Sequence, residues 1–189
     1  MLSIKNNNKY EYIIKNSKFI SLLFKVTIKE EVKDYLNKVK EEYPNATHYC
    51  YAYIIDNDTK FSDDGEPSKT AGLPIFTQLE GNNLNYALII VVRYFGGIKL
   101  GTGLLTTYTK VAKEVITKDN IIELTKGYNI TIIFDYEDIK NIDYLLKDSQ
   151  ILKKDFQDNI TYNVNVNEEI FNKLQNYNIK INKDIYIQK

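Results

Sequence analysis

The chain has 189 residues, 43% of them apolar and 26% charged, so it can form one medium-sized domain or two small ones and is too apolar to be disordered. Its 25 Lys+Arg and 25 Asp+Glu residues balance to a net charge of zero, which excludes the strongly basic body of a non-specific nucleic-acid-coating protein but not a local basic face. The single cysteine excludes an intramolecular disulfide and suits a reducing cytoplasm. The first residues lack the apolar core of a signal peptide, and no apolar run is long enough to span a bilayer.

Apolar periodicity predicts alternating strands and helices in the first two thirds of the chain. The predicted strands cover 10–14, 18–27, 47–55 and 88–92, and the predicted helices cover 29–43, 70–79 and 104–117. For the first helix, Thr27 is the expected N-cap, with Glu30 three residues later as in a capping box. The 88–92 strand is apolar throughout, so we expect it to be buried on both faces.

The last third has a different order of elements. Strands are predicted over 128–135, 150–156, 160–166 and 179–187, and helices over 138–146 and 168–175. This βαββαβ order is typical of a split-βαβ, ferredoxin-like domain. We therefore predict an α+β protein with two domains, 1–122 and 127–189, joined by a linker over 123–127.

The segment 61–67 holds three carboxylates around a glycine, from Asp63, Asp64 and Glu66. Such a cluster can bind a hard cation or act as an acid/base pair. It can equally cap the helix expected from Thr70, because helix N-termini favour negative charge. Both interpretations are open from the sequence.

The segment 93–103 is glycine-rich and lies between the buried strand and a helix. Its cations are Arg93 and Lys99, and its glycines are Gly96, Gly97, Gly101 and Gly103. Free N–H groups at a helix start beside two cations suit a phosphate or another anion, although a purely structural loop is the competing interpretation. The pattern is neither a Walker A loop nor the dinucleotide fingerprint, so kinase or NAD chemistry is not indicated.

His48 and Cys50 share one face of a predicted strand, and Tyr49, Tyr51 and Tyr53 share the other. A Cys/His hydrolase needs the first pairing, and zinc accepts both residue types. They are the only histidine and the only cysteine, however, so we favour a polar patch on a half-buried strand over catalysis. The tyrosine stripe can stack bases, but tyrosines on a sheet are more often packed in the core or at its rim.

Four blocks stand out along residues 16–110. They are Asn-Ser-Lys-Phe-Ile at 16–20, Ala-Thr-His-Tyr-Cys-Tyr-Ala-Tyr at 46–53, Ser-Asp-Asp-Gly-Glu-Pro-Ser-Lys-Thr-Ala-Gly-Leu-Pro at 62–74 and Val-Val-Arg-Tyr-Phe-Gly-Gly-Ile-Lys-Leu-Gly-Thr-Gly at 91–103. In this order they resemble the N-terminal domain of the IMPACT/YigZ family. The last third resembles the family's second domain by layout more than by motif.

The resemblance implies a first domain with the ribosomal protein S5 domain 2 fold, an α+β sheet with helices on one face. It implies a second domain like the ferredoxin-like domain V of elongation factor G. The eukaryotic relative is linked to control of translation through a starvation-sensing kinase pathway. For the bacterial branch, nucleic-acid binding is the usual suggestion.

The chain departs from the family pattern at two places. Lys69 stands where the family usually has glycine. After Gly103 the sequence continues as Leu-Leu-Thr-Thr-Tyr at 104–108, one residue shorter than usual and without a basic residue. The second departure removes a cation from the expected anion site, and Lys69 can replace it if the two loops are neighbours.

We expect a non-enzymatic cytoplasmic binding protein in or near translation, without a cofactor. Arg93, Lys99, the 96–103 loop and Lys69 would hold an RNA phosphate or an acidic protein surface. The alternative is a metal-dependent hydrolase or phosphotransferase acting on a small phosphorylated substrate, with a divalent cation on Asp63, Asp64 and Glu66. A third hypothesis is a protein–protein module that docks through the C-terminal sheet.

Overall fold

Ten strands and five α-helices form two units, Met1–Ile122 and Glu123–Lys189, in the computed structural model, which describes all 189 residues. The first unit contains β1 (Leu2–Ile4), β2 (Asn8–Ile14), β3 (Ser17–Lys25), α1 (Lys29–Glu42), β4 (His48–Ile55), β5 (Asp58–Ser62), α2 (Gly72–Gly81), β6 (Ala87–Tyr94) and α3 (Gly103–Glu114). The second contains most of β7 (Ile121–Phe134), then α4 (Ile139–Leu145), β8 (Gln150–Phe156), β9 (Ile160–Asn167), α5 (Glu168–Lys173) and β10 (Asn178–Gln188). The fold is α+β, as predicted, and no helix is long and apolar enough to cross a membrane.

The sheet of the first unit has the strand order β2-β3-β6-β4-β5, and every neighbouring pair is antiparallel. The apolar strand β6 lies at its centre and is buried from Ala87 to Arg93. Burial on both faces explains why this strand is apolar throughout instead of alternating.

Helices cover both faces of this sheet, whereas the resemblance implied helices on one face only. Leu23 and Phe24 are adjacent on β3 and therefore point to opposite faces. Leu23 belongs to the core that contains α2 and α3 residues. Phe24 stacks on Tyr35 of α1, with ring centroids 4.2 Å apart. A strand as apolar as β6 needs cover on each face, and α1 supplies the second cover.

Two short strands and one cap differ from the prediction. β1 and β5 have three and five residues, too few for the alternation to be recognised, and β5 is an edge strand with polar residues. The first helix starts at Lys29 as predicted, but its N-cap residue is Ile28, one residue later than the expected Thr27. The carboxylate of Glu31, not that of Glu30, accepts from the backbone N–H groups of Thr27 and Ile28 at 2.5 and 3.3 Å.

The strands of the second unit form an antiparallel sheet in the order β10-β7-β9-β8. Their chain order with α4 and α5 is the βαββαβ order predicted from the sequence. β9 alternates strictly, with Ile160, Tyr162, Val164 and Val166 all buried in the core that includes residues of both helices. The other face of the sheet carries polar residues, because α4 and α5 pack on one side only.

Gly96, in the loop after β6, is the glycine with the least room for a side chain. A Cβ there would lie 2.1 Å from the carbonyl carbon of Asn16, and its N–H donates to Ser17 Oγ at 3.1 Å. We expect Gly96→Ala to lower the free energy of unfolding by at least about 2 kcal/mol, because the clash is with backbone that no rotamer change can relieve. Urea unfolding measures the loss.

Gly81→Ala is the matched control for this substitution. Gly81 ends α2, and a Cβ there meets nothing within 4 Å, so alanine should stabilise the helix by up to about 1 kcal/mol. Equal effects of the two substitutions on the free energy of unfolding would show that the close contact between Gly96 and the β2–β3 turn does not constrain the structure.

Candidate functional site

Three strands place their side chains side by side beneath α3. Arg93 near the end of β6 is the cross-strand partner of Phe19 on β3 and of His48 on β4. Directly paired residues point to the same face of a sheet. The Phe19 ring meets Tyr108 of α3 edge-on, 5.3 Å between centroids, so this is the face that α3 covers.

Glu66 occupies the centre of this arrangement, although a carboxylate is costly to bury. Its side chain is only 3% exposed. Oε1 accepts from Arg93 Nη1 at 2.5 Å and from Tyr108 Oη at 2.8 Å, while Oε2 faces His48 Nε2 at 3.7 Å. A guanidinium and a phenol therefore replace the water that Glu66 loses on folding.

Arg93 is as deeply buried as its partner, with 5% of its surface exposed. The guanidinium carbon lies 5.3 Å from the Phe19 ring centroid and 5.4 Å from that of Phe95. These contacts suit a flat, weakly hydrated cation, which stacks on aromatic faces and pairs with a carboxylate at the same time. Its Nε has no hydrogen-bond partner.

His48 and Cys50 lie at the edge of the same cluster. His48 Nδ1 donates to the carbonyl oxygen of Asp64 at 2.7 Å, so Nε2 is the nitrogen directed at Glu66. Cys50 Sγ donates to the carbonyl oxygen of Asp63 at 3.0 Å and contacts Tyr108 Oη at 3.3 Å. Both side chains thus hold the acidic loop onto β4.

Burial gives Cys50 and Tyr108 the properties of neutral hydrogen-bonding groups. Loss of solvation raises the pKa of the Cys50 thiol to about 12, and the negative charges of Glu66, Asp64 and Asp63 act in the same direction. Desolvation also raises the pKa of Tyr108 well above its usual range, as do Cys50 and Glu66. A thiol with this pKa is protonated at neutral pH and is not an activated nucleophile.

The first two carboxylates of the acidic loop accept hydrogen bonds from backbone N–H groups of neighbouring segments. Asp63 accepts from the N–H groups of Lys69, Ala71 and Gly72 at 2.8, 3.0 and 2.8 Å, which satisfies the start of α2. Asp64 accepts from the N–H of Tyr49 at 2.6 Å. Each of the two carboxylates therefore has a separate structural task.

The three carboxylates do not converge on one point. Asp63 lies at the start of α2, Asp64 lies against β4, and Glu66 points to Arg93. No group of three or more His, Cys, Asp or Glu side chains is arranged to hold a metal ion. The metal site of the alternative hypothesis would need these side chains to leave their present partners.

The glycine-rich loop separates the two cations of the expected anion site. Lys99 is exposed, whereas Arg93 is buried below the loop and paired with Glu66. Gly97 and Gly101 have φ of 85° and 59°, conformations that other residues rarely adopt. Gly103 is the first residue of α3, whose N-cap residue makes no side-chain cap.

Lys69 has a left-handed backbone conformation and lines a groove next to α3. Its φ is 62°, in the left-handed region that favours the glycine usual for the family. It lines a groove of about 210 Å³ between α2 and α3, together with Leu73 and Leu105. Leu105 is 47% exposed, whereas its neighbour Leu104 is buried.

The structure thus brings His48, Cys50, Asp63, Asp64, Glu66 and Arg93 into one cluster and leaves Lys69 and Lys99 exposed. Tyr108 and Phe19 belong to this cluster but were not predicted as site residues. Tyr108 lies in the predicted 104–117 helix, and Phe19 lies in a recognised block. Neither pattern, however, reveals that a ring or a hydroxyl will meet a buried ion pair.

We predict that Glu66→Gln lowers the free energy of unfolding by about 3 kcal/mol, because it leaves Arg93 buried without a counter-ion. Adding Arg93→Met should recover part of the loss, since the uncompensated charge is then gone. Urea denaturation of the parent, both single variants and the double variant measures this coupling.

Glu80→Gln is the control for that experiment, since Glu80 is an exposed residue of α2. It should change stability by less than about 0.5 kcal/mol. Additive losses in the double variant would show that Glu66 and Arg93 are not energetically coupled.

We also predict that Cys50 of the folded protein resists thiol reagents between pH 7 and 9. Its pKa of about 12 keeps the thiolate fraction small throughout this range, and the side chain has no exposed surface. Labelling with Ellman's reagent should be complete at once in guanidinium and, without it, no faster than unfolding. Rapid labelling with a rate that rises with pH would show that Cys50 is accessible in the folded protein and would contradict its burial.

Residues 15–116 match the Impact N-terminal domain family. The IMPACT family member YvyE of Bacillus subtilis (strain 168) is 35% identical over 173 residues, which cover 88% of this chain and 80% of the relative. YigZ of Escherichia coli (strain K12) is 35% identical over 152 residues, 76% of this chain and 74% of the relative. A crystal structure of a hypothetical protein is 30% identical, covers 95% of both chains and has a TM-score of 0.63.

The matched region contains the whole polar cluster, from Phe19 to Tyr108. The extent of the match and the identity to relatives over most of their length lead to one conclusion. This chain belongs to the IMPACT family.

Proposed function

We propose that this chain is a cytoplasmic, translation-linked regulatory protein that acts by binding RNA, not by catalysis. The observation that carries the proposal is the contrast between two neighbouring regions. The carboxylates of the acidic loop accept hydrogen bonds or face His48 within the protein. Phe95, Ile98 and Lys99 of the adjacent glycine-rich loop are exposed.

The exposed loop combines the groups that a single RNA strand needs. Lys99 offers a cation to a phosphate, and Phe95, 44% exposed, offers a ring on which a base can stack. The Arg93 guanidinium lies 5.4 Å from the centroid of the Phe95 ring and supports it from below. The glycines let the backbone N–H groups approach a phosphate closely.

The link to translation rests on the family. The resemblance implies control of translation for the eukaryotic relative, and it implies nucleic-acid binding for the bacterial branch. We further propose that the first unit shares the ribosomal protein S5 domain 2 fold, with α1 as an additional cover on the second face of the sheet, and that the second unit shares the fold of elongation factor G domain V. Fold likeness alone is weak support for function, so the proposal depends on the loop.

The hydrolase alternative is less well supported by the geometry. It would require Asp63 to release the N–H groups at the start of α2, and Glu66 to release Arg93. Each release leaves buried groups unpaired, which costs several kcal/mol. An acidic protein surface would use the same Lys99, and the RNA experiment below separates that partner from RNA.

The test is a titration of fluorescently labelled single-stranded and hairpin RNA, followed by anisotropy, at two salt concentrations. Lys99→Glu should weaken binding by about tenfold, because it places a like charge at a phosphate. The dependence of affinity on salt should also become less steep, since one phosphate contact is lost.

Lys33→Glu is the matched control, because it makes the same charge change on the exposed face of α1. It should bind RNA nearly as the parent does. If Lys33→Glu and Lys99→Glu weaken binding equally, the effect is one of net charge and the loop is not the site. Absence of RNA binding at both salt concentrations would redirect the search to an acidic protein partner.

A further inference from the structure

A line of side-chain amides crosses the four strands β10, β7, β9 and β8 of the second unit, on the face opposite α4 and α5. Asn182 Nδ2 on β10 donates to Asn129 Oδ1 on β7 at 3.0 Å, and Asn129 Nδ2 donates to Asn165 Oδ1 on β9 at 2.8 Å. Asn165 Nδ2 donates to Gln150 Oε1 on β8 at 3.0 Å. The donors all point the same way, from β10 towards β8, so each amide fixes the orientation of the next.

The line ends at a groove of about 480 Å³ within the second unit, a size that suits a small organic ligand. Gln150 and Asn165 form one part of its lining. The end of α4 supplies Tyr144, the segment after it supplies Lys147 and Ser149, and α5 supplies its N-cap residue Asn167 and its last residue Lys173. The amide line therefore presents oriented polar groups to a cavity that the first unit's site does not involve.

The orientation of the amides makes this groove rich in hydrogen-bond donors. The Oε1 of Gln150 is occupied by Asn165, which leaves its Nε2 as the available group. The Oδ1 of Asn167 is likewise occupied by the N–H of Ile170 at 2.8 Å, which leaves its Nδ2. Lys147 adds an exposed ammonium. Donors of this kind, beside a cation, suit the acceptor oxygens of a phosphate.

Two further residues of the groove suit a base and a ribose, the other parts of a nucleotide. Tyr144 is 69% exposed, and Lys147 Nζ lies over one face of its ring, 5.4 Å from the centroid, which leaves the opposite face as a platform for a base. Asp148 is an exposed acceptor that suits a ribose hydroxyl. The other carboxylate of the groove, Glu169, pairs with Lys173 at 2.6 Å.

We propose that this groove binds a nucleoside monophosphate unit, either as a free nucleotide or as one residue of an RNA strand. Gln150, Asn167 and Lys147 contact the phosphate, Tyr144 stacks on the base, and Asp148 accepts from the ribose. The site is independent of the glycine-rich loop of the first unit, so either proposal can fail without the other.

The experiment is a titration of the full-length ¹⁵N-labelled protein with AMP up to about 1 mM, a range that detects weak binding. Saturable shifts are expected for backbone amides of the groove, from Tyr144 to Gln150 and around Asn167. Gln150→Glu should raise the Kd for AMP by at least about tenfold, because the new carboxylate still accepts from Asn165 but repels the phosphate.

Gln157→Glu is the matched control. Gln157 is an exposed residue in the β8–β9 turn, so this substitution makes the same chemical change away from the groove. It should bind AMP as the parent does. No saturable shifts in the groove, or equal Kd values for the parent and Gln150→Glu, would overturn the proposal.

Inorganic phosphate and adenosine test whether the ligand is a whole nucleotide. Each should bind more weakly than AMP, and Tyr144→Ala should weaken adenosine and AMP but not phosphate. If phosphate alone binds as tightly as AMP, the nucleotide assignment is wrong. Displacement of AMP by a short single-stranded RNA identifies RNA as the source of the nucleotide, and failure of displacement identifies the free nucleotide.

Discussion

The first unit depends on one buried ion pair, between Glu66 and Arg93. Both side chains are almost completely buried, and the cost of burying an unpaired charge is several kcal/mol. Arg93 lies on the central strand and Glu66 in a loop, so the pair ties that loop to the sheet. Tyr108 adds α3 to the same carboxylate. The recognised sequence blocks therefore share one physical cause, because each supplies a group to this cluster or the turn that holds it.

This pairing also defines what the acidic loop does. Asp63 and Asp64 resemble ligands in the sequence, but in the fold they satisfy backbone N–H groups. A loop held this tightly forms a rigid base for the glycine-rich segment next to it. Exposed residues on a rigid base lose little entropy on binding. The Cys50 thiol, the one thiol of the cluster, is kept protonated by burial and is not an activated nucleophile.

The second unit buries uncharged polar groups, in contrast to the ion pair of the first unit. Its sheet buries one face under two helices and leaves the other face polar. Asn129 is only 6% exposed on that polar face, and its amide is satisfied by Asn182, Asn163 and Asn165. Amides that hydrogen-bond to one another need no counter-ion, but each amide must turn its N–H group towards the oxygen of the next. This shared direction gives Gln150 a defined orientation at the end of the line.

The sequence alone predicts the order of the longer elements, because burial leaves a period of two in strands such as β9 and of 3.6 in helices, but it does not reveal the short strands β1 and β5. It also identifies the family, through blocks whose residue order is specific. Which polar groups meet is visible only in the folded chain. Glu66 is 27 residues from Arg93 and 42 from Tyr108, and Asn129 is 53 from Asn182. Local periodicity records whether a side chain is buried but carries no information about a partner that far along the chain. For this reason Arg93 was expected on the surface beside Lys99, and the structure places it inside.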